Sequence, residues 1–206
     1  SRWALSQGAF DDAEAHVLAA IALCAKAPAN VDVRTLEIAC YSALGSIRMQ
    51  TQGFTADSVK AAFETVAKLA SGKDAHSSAN GPALYGSFTH AIVSGDKKAA
   101  TRFADMLRKA ANKAPPDRPD NELRLASLNT DTALHFYTGN FARALTTFKS
   151  LRKHYDINTH GAMIASYGAD TFAAAHMFDC VARAICGQTH LITEMIMETD
   201  AHQRQL

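Results

Sequence analysis

The chain has no excess of charge of either sign and no long apolar segment. Its 21 Lys and Arg residues are balanced by 20 Asp and Glu residues, so the formal net charge is +1. This balance provides no global field that would draw the chain onto nucleic acid or an anionic membrane. No apolar run approaches the roughly 18 residues that a membrane-spanning helix needs. We therefore expect neither a membrane partner nor direct binding of nucleic acid.

Cysteines are few, and the common catalytic motifs are missing. The cysteines Cys24, Cys40, Cys180 and Cys186 form no CxxC pair and lie in apolar helical segments. This arrangement indicates buried thiols in a reducing compartment, and we expect a cytoplasmic protein. The sequence contains no GxSxG, HExxH or GxGxxG, which are signatures of hydrolases, zinc proteases and dinucleotide sites. We expect no catalysis, no cofactor and no metal site in this chain.

Three partial matches to functional sites have simpler structural explanations. Residues 81–87 contain two glycines five apart, as phosphate loops do, but no Lys precedes Ser87, and Pro82 is typical of the first turn of a helix. His176 and Cys180 share one helix face, yet the spacing identifies no third metal ligand. A basic stripe that phosphate groups could bind is interpreted first as a solvated helix face. It consists of Lys98, Arg102, Lys109 and Lys113.

What the sequence does contain is a repeated helical unit, in which an apolar helical segment, a glycine turn and an amphipathic helix follow one another. The turn glycines are 42 to 48 residues apart: Gly8, Gly53, Gly95, Gly139 and Gly187. A period in this range is typical of helical solenoids. Three alanines, Ala13, Ala100 and Ala144, follow their glycines by five residues, where closely crossing helices have room only for a small side chain. We predict a single all-α domain over residues 1–206, with about four and a half helix pairs.

The helical periodicity also predicts the individual elements. The first helices of the pairs are expected over residues 31–51, 82–94, 121–138 and 172–185. The second helices are expected up to residue 26, over residues 57–70, 97–113 and 142–153, and from residue 191. Breaks are expected at an exposed polar loop (71–81), at a segment with three prolines (114–120) and at a short connection (160–170). Residues 1–7 resemble the last turn of a helix that starts upstream, so we expect a fragment of a longer protein.

Several short segments carry a resemblance to a known family. They are Gly53-Phe54, Ser94-Gly95-Asp96, residues 139–144, His154-Tyr155-Asp156 with His160, residues 167–170, and Cys186-Gly187. With these segments, residues 44–187 resemble the tetratricopeptide-like region of large bacterial signal-transduction ATPases. Such regions occur in LuxR-type and winged-helix transcriptional regulators and in proteins with adenylate-cyclase domains. The chain departs from the family at Thr171, where a proline is common, and at Leu191 and Ile192, where the helix is usually rich in alanine.

The resemblance implies a right-handed tetratricopeptide-like α-α superhelix. It also implies that the nucleotide-binding module and the output domain lie elsewhere in a longer regulator, and that this chain is its docking or sensing arm. The implied partner is a protein, or the parent's own ATPase or output domain. The alternative is a small-molecule inducer held in the solenoid groove. An enclosed apolar pocket would favour the inducer and an open polar groove would favour docking.

The candidate contacts are the side chains that the first helices direct into the groove. On the helix predicted over residues 31–51, we expect Leu36, Ala43 and Ile47 to form the buried face. The predicted partner-binding residues on the successive first helices are Arg34, Tyr41, Arg48, His90, Arg124, Asp131, His135, His176, Asp179 and Arg183. Tyr41, Arg124 and Arg183 are the expected anchors, because interface energy concentrates in aromatic residues and arginines. For any single residue, a merely solvated helix face is an equally good interpretation.

Overall fold

The structure is a computed structural model that describes residues 9–28, 30–69, 81–113 and 121–205. The helices in these ranges are α1 (Phe10–Cys24), α2 (Val31–Gln52), α3 (Asp57–Leu69), α4 (Gly81–Val93), α5 (Lys97–Lys113), α6 (Glu122–Tyr137), α7 (Phe141–His154), α8 (Ile157–His160), α9 (Met163–Tyr167), α10 (Thr171–Ile185) and α11 (Ile192–Gln203), the last preceded by a 3-10 turn (Thr189–Leu191). These residues include no strand, so the predicted all-α class is confirmed. None of the described helices combines the length and apolarity that crossing a bilayer requires.

The turns between paired helices all contain a glycine. Their glycines have positive φ, as the repeat predicts: Gly53, Gly95, Gly139 and Gly187. At the second turn, the backbone N–H of Asp96 donates to the carbonyl of Ala91 at 2.9 Å, and its carboxylate accepts from the N–H of Ala99 at 2.9 Å. Asn140 makes the equivalent bonds at the third turn. At these two turns, one polar residue after the glycine therefore ends one helix and caps the next.

The helices are stacked as pairs. Helix α2 packs on α3, α4 on α5, α6 on α7 and α10 on α11, while α1 packs on α2 as a half pair. Each following first helix contacts both helices of the preceding pair: α4 contacts α2 and α3, α6 contacts α4 and α5, and α10 contacts α6 and α7. A helix in such a position has neighbours on several sides, which explains why the first helices carry more than one apolar face.

Small residues lie where the helices cross. Ala13, Ala100 and Ala144 are completely buried, which agrees with the close packing predicted at these positions. The ring of Phe63 lies between Gly45 of α2 and Gly86 of α4, and a Cβ atom added at either glycine would collide with it. Close packing of this kind fixes how far each pair can slide on the next.

Some expectations need correction. The connection after α7 is not simply irregular, because it contains the short helices α8 and α9. Leu36, predicted in the buried face of α2, is 52% exposed, whereas Ile47 is fully buried. The contacts of Ile38 with Val66 of α3 and Ala83 of α4 orient α2 differently from the simple helical projection. Gly8, most of the 71–81 loop and the proline segment 114–120 lie outside the described residues.

Candidate functional site

Most of the predicted partner-binding side chains form bonds within the chain. On α2, Arg34 Nε donates to the carbonyl of Leu69, the last residue of α3, at 2.7 Å. Arg48 Nε lies 2.9 Å from Glu14 Oε1 of α1. Tyr41 is half-buried against the apolar residues between α1, α2 and α3. These three side chains therefore join neighbouring helices.

The middle units show the same use of polar residues. His90 Nδ1 of α4 lies 2.7 Å from the carbonyl oxygen of Phe54, in the turn after α2. On α6, Asp131 accepts from Arg108 of α5 through Nη2 at 2.6 Å and Nε at 3.2 Å. His135 is half-buried and Arg124 is exposed. Among the predicted contacts of the middle units, Arg124 is therefore the residue whose side chain is open to a partner.

On α10 the predicted polar stripe faces inward. His176 and Asp179 are 0% and 1% exposed, so they do not lie on a surface that a partner could reach. Arg183 Nε donates to Asp179 Oδ2 at 2.8 Å and remains partly exposed. This placement corrects the helical projection. His176 bonds Thr199 of α11 and Asp179 bonds Arg183 of α10 itself, while His176 Nε2 and Asp179 Oδ1 are buried without a hydrogen-bond partner.

The surroundings of His176 determine its protonation. Its imidazole lies parallel to the Phe148 ring of α7, with ring centroids 5.2 Å apart. The hydroxyl of Thr199 lies 3.0 Å from the Met195 carbonyl oxygen and 2.9 Å from His176 Nδ1, so it forms hydrogen bonds with both. His176 Nε2 has no hydrogen-bond partner and lies 3.9 Å from Glu198 Oε2. Burial lowers the pKa of His176, and the ring is neutral at pH 7.

A second group of contacts joins the start of α10 to α11. Asp170 Oδ1 accepts from the backbone N–H groups of Phe172 and Ala173 at 2.9 and 3.2 Å, which caps α10. Its other oxygen, Oδ2, lies 2.7 Å from His202 Nε2 of α11. The ring of Tyr155 stacks on Phe172 with centroids 4.7 Å apart, and burial raises the pKa of Tyr155 to about 12. The aspartate therefore both begins α10 and holds α11 against it.

Across the described ranges, the acidic, histidine and cysteine side chains make no cluster of three or more suited to a metal ion. The groups around His176 and Asp170 bind one another between α7, α10 and α11 instead. Their arrangement accounts for how the last helix pair is held on the stack.

The segment after α7 folds back over earlier units. The Tyr167 ring at the end of α9 meets Tyr85 of α4 edge-on, with centroids 5.5 Å apart. The carbonyl of Gly168 accepts from Gln50 Nε2 of α2 at 3.1 Å. Gly168 has a φ of +71°, and a Cβ atom added there would lie 2.8 Å from Ser46 Cβ. The segment after α7 therefore covers parts of α2 and α4 that would be open to a partner if these first helices lined a free groove.

The basic stripe on α5 borders an open depression. The depression has a volume of about 430 Å³, and its lining includes Lys98, Arg102 and Lys109 together with Asp105. The Arg102 guanidinium carbon also lies 4.9 Å from the centre of the Phe103 ring. Three cations beside one carboxylate give this surface a local positive charge that suits an anion.

Sequence reasoning missed the exposed apolar side chains. Val93, Tyr137 and Ile185 each stand two residues before a turn glycine, and all three are exposed. On α10, Met177 and Val181 are exposed as well. The signal was present as apolar residues at i, i+4 and i+8 on α10, a pattern that also describes a buried face.

Comparison of the chain with models of known protein families, with curated proteins and with solved structures finds no match. The resemblance to tetratricopeptide-like regions therefore rests on the residues quoted above alone.

Proposed function

We propose that this chain is the protein-interaction arm of a cytoplasmic, multidomain bacterial transcriptional regulator or signalling ATPase, and that it performs no catalysis itself. In this proposal the helix pairs form a right-handed tetratricopeptide-like superhelix. The partner is a protein, or the regulator's own ATPase or output domain. The proposal combines the family resemblance with the general use of stacked helical repeats as extended binding surfaces.

One observation supports docking most directly. Val93, Tyr137 and Ile185 are exposed at equivalent positions of three successive first helices, with 41%, 42% and 57% of their surfaces accessible. We call these three residues the turn-edge row. Large apolar side chains are poorly placed in water, and a row of them at one repeat position is suited to contact with a protein surface. Because successive first helices contact one another, the row follows the direction of the stack.

The test uses the remainder of the full-length gene product, expressed as a separate polypeptide and titrated with this chain in a calorimeter. We expect saturable binding, weakened at least about tenfold by Val93→Asp combined with Tyr137→Asp, because both changes place charge in an apolar contact. Leu23→Asp is the matched control, since Leu23 is an exposed apolar residue of α1 outside the row. Absence of binding, or equal effects of the row variant and the control, would exclude the turn-edge row as the docking surface.

Nucleotide binding provides a second test. We expect no saturable uptake of ATP by this chain in calorimetry at micromolar concentrations, since residues 81–87 form the start of α4 and carry no lysine before Ser87. Saturable ATP binding would contradict a purely docking role for this region.

A small-molecule sensor is the second candidate, and the depression beside α5 is the observation in its favour. Its open, basic character indicates an anionic ligand rather than an apolar inducer. Titration with inorganic pyrophosphate tests this candidate. Saturable heat that disappears in Arg102→Gln combined with Lys109→Gln would support it, and the absence of heat would remove the depression from consideration.

A further inference from the structure

Helix α11 is held on the stack mainly by polar contacts. Met195 is the one buried apolar side chain of this helix, while Ile196 and Met197 are 60% and 68% exposed. The second helices of two earlier pairs, α3 and α5, each bury four apolar side chains. Because hydrophobic stabilisation grows with the apolar area removed from water, it contributes less to the docking of α11 than to that of α3 or α5. The docking of α11 therefore depends on its polar groups.

Two of the polar contacts of α11 are made at or beside the buried ring of His176. The Thr199 hydroxyl lies 2.9 Å from His176 Nδ1, and Glu198 Oε2 lies 3.9 Å from His176 Nε2. The other oxygen of Glu198, Oε1, lies 2.5 Å from Arg152 Nη2 of α7. The imidazole is enclosed by α7, α10 and α11 and has no exposed surface. Water therefore reaches His176 only when α11 moves away.

A proton added to His176 would place a positive charge in this enclosed position. The charged ring has an N–H group at each nitrogen, and Nε2 has no hydrogen-bond partner there. Burial is the largest influence on the ring and lowers its pKa. Two carboxylates, Glu198 of α11 and Asp179 of α10, act to raise the pKa. Arg152 of α7 and His202 of α11 lower it further. The docked state therefore disfavours the charged ring.

We propose that acidification releases α11 from α7 and α10, and that protonation of His176 drives the release. In the released state the ring is open to water, so its pKa is near the ordinary value of about 6.5. The docked state has the lower pKa, so the neutral ring stabilises docking fully above about pH 6.5, and this stabilisation is lost as the pH falls. One proton shifts the equilibrium toward release by up to about tenfold between pH 7.5 and pH 5.5. The surface at this end of the described stack therefore depends on pH.

The contact near the end of α11 responds to acid in the other direction. His202 Nε2 lies 2.7 Å from Asp170 Oδ2, and the centroids of the His202 and Phe172 rings are 4.8 Å apart. A protonated His202 still donates to Asp170 and gains an ion pair with it. Acid therefore acts against docking through His176 rather than through His202.

Hydrogen exchange of the α11 backbone amides, corrected for the effect of pH on the intrinsic exchange rate, tests the proposal. A helix of this length is marginal in water by itself, so its amides exchange once it is released. Between pH 7.5 and pH 5.5 we expect the protection of α11 to fall by up to about tenfold in the wild type and to stay constant in His176→Gln. His90→Gln is the matched control, because His90 also bonds through Nδ1, to the carbonyl of Phe54, but lies on α4. It should show the same fall as the wild type.

The same experiment shows whether α11 leaves separately from the stack. We expect its amides to exchange at least about tenfold faster than those of α6 at both pH values, because only the last helix has to move. Equal protection of α11 and α6 would overturn the proposal. So would the absence of a fall in the wild type, or an equal fall in the wild type and His176→Gln.

An NMR titration of the wild type tests the proposal without any substitution. Among the nine histidines, one ring should titrate clearly below pH 6.5, and the amide signals of α11 should change over the same pH range. If all nine rings titrate at or above about pH 6.5, acid does not act through a buried histidine and the proposal is wrong.

Discussion

Helices α6 and α10 occupy the same place in successive pairs but bury different chemistry. Helix α6 is flanked by α4 and α5 on one side and by α10 on the other, and it buries apolar residues such as Leu125 together with uncharged polar residues such as Asn129 and Thr130. Helix α10 buries His176 and Asp179 and leaves Met177 exposed. Helix α6 exposes one large apolar side chain, that of Tyr137 near its end, whereas α10 exposes those of Met177, Val181 and Ile185.

Truncating one apolar residue on each helix tests the difference between α6 and α10. Leu125→Ala on α6, at 1% exposure, should lower the free energy of unfolding by about 2–5 kcal/mol through lost burial and a residual cavity. Val181→Ala on α10 should change it by less than about 0.5 kcal/mol, because Val181 is exposed. Urea denaturation of both variants provides the measurement. Comparable losses would show that the side of α10 around Val181 is covered in the isolated chain.

The connection that precedes α10 can be compared with the turn that follows α6. Gly168→Ala should lower the free energy of unfolding by about 2–3 kcal/mol, since positive φ is unfavourable for alanine and the new methyl group meets Ser46. In Gly139→Ala the positive φ is equally unfavourable, but the added carbon has open space around it. The free energy of unfolding should therefore fall by only about 1 kcal/mol. If thermal and urea unfolding rank the two variants equally, the contact between Gly168 and Ser46 does not hold the segment in place.

Acidification should weaken α10 through His176. Burial depresses the pKa of this ring, while Glu198 and Asp179 act to raise it and Arg152 and His202 act to lower it. The stability contributed by the neutral ring is present above the unfolded pKa of about 6.5, and it is lost as the pH falls from there through the folded-state pKa. Wild type and His176→Gln should therefore diverge in the pH dependence of their urea midpoints between about pH 7 and pH 5, with the wild type losing more stability. If the urea midpoints of the two proteins change in parallel with pH, protonation of His176 does not affect folding.

The smallest effect should come from the ion pair between Arg108 of α5 and Asp131 of α6. Arg108 is 44% exposed and Asp131 15% exposed, so Asp131→Asn should lower the free energy of unfolding by less than about 1 kcal/mol. The pair on α10 differs because Asp179 is buried, and Arg183→Gln leaves that carboxylate without its partner. Urea denaturation should show a larger loss in the free energy of unfolding for Arg183→Gln than for Asp131→Asn. The reverse order would mean that water reaches Asp179.

The helices and turns followed from local rules and could be predicted. Gly95 and Gly139 mark turns because glycine adopts positive φ easily, and the Asp or Asn after each caps the next helix. The small residues at the helix crossings, such as Ala100, were predictable for the same reason, since the repeat places them at a fixed distance from the turn.

The candidate surface could not be predicted in the same way. A helical projection shows which residues share a face, but it does not show which face meets the next helix. His176 and Asp179 were therefore assigned to the wrong side of α10. The covering of α4 by Tyr167 was also out of reach, because it joins segments far apart in the chain through one ring contact with Tyr85. Arg183 is now a poor choice for testing a partner surface, since its substitution disturbs buried Asp179. Arg124, which is exposed, is the better probe.

The bond between Gln50 and Gly168 spans 118 residues of sequence. In a simple solenoid each unit touches only its neighbours, so units can melt one after another from an end. Here the segment before α10 also contacts α2. We therefore expect the helix pairs to unfold more cooperatively than those of a simple solenoid. During synthesis, α2 and α3 emerge from the ribosome well before residue 168 does. These helices therefore fold first without the bond between Gln50 and Gly168, and they reach their full stability only after residue 168 has been translated.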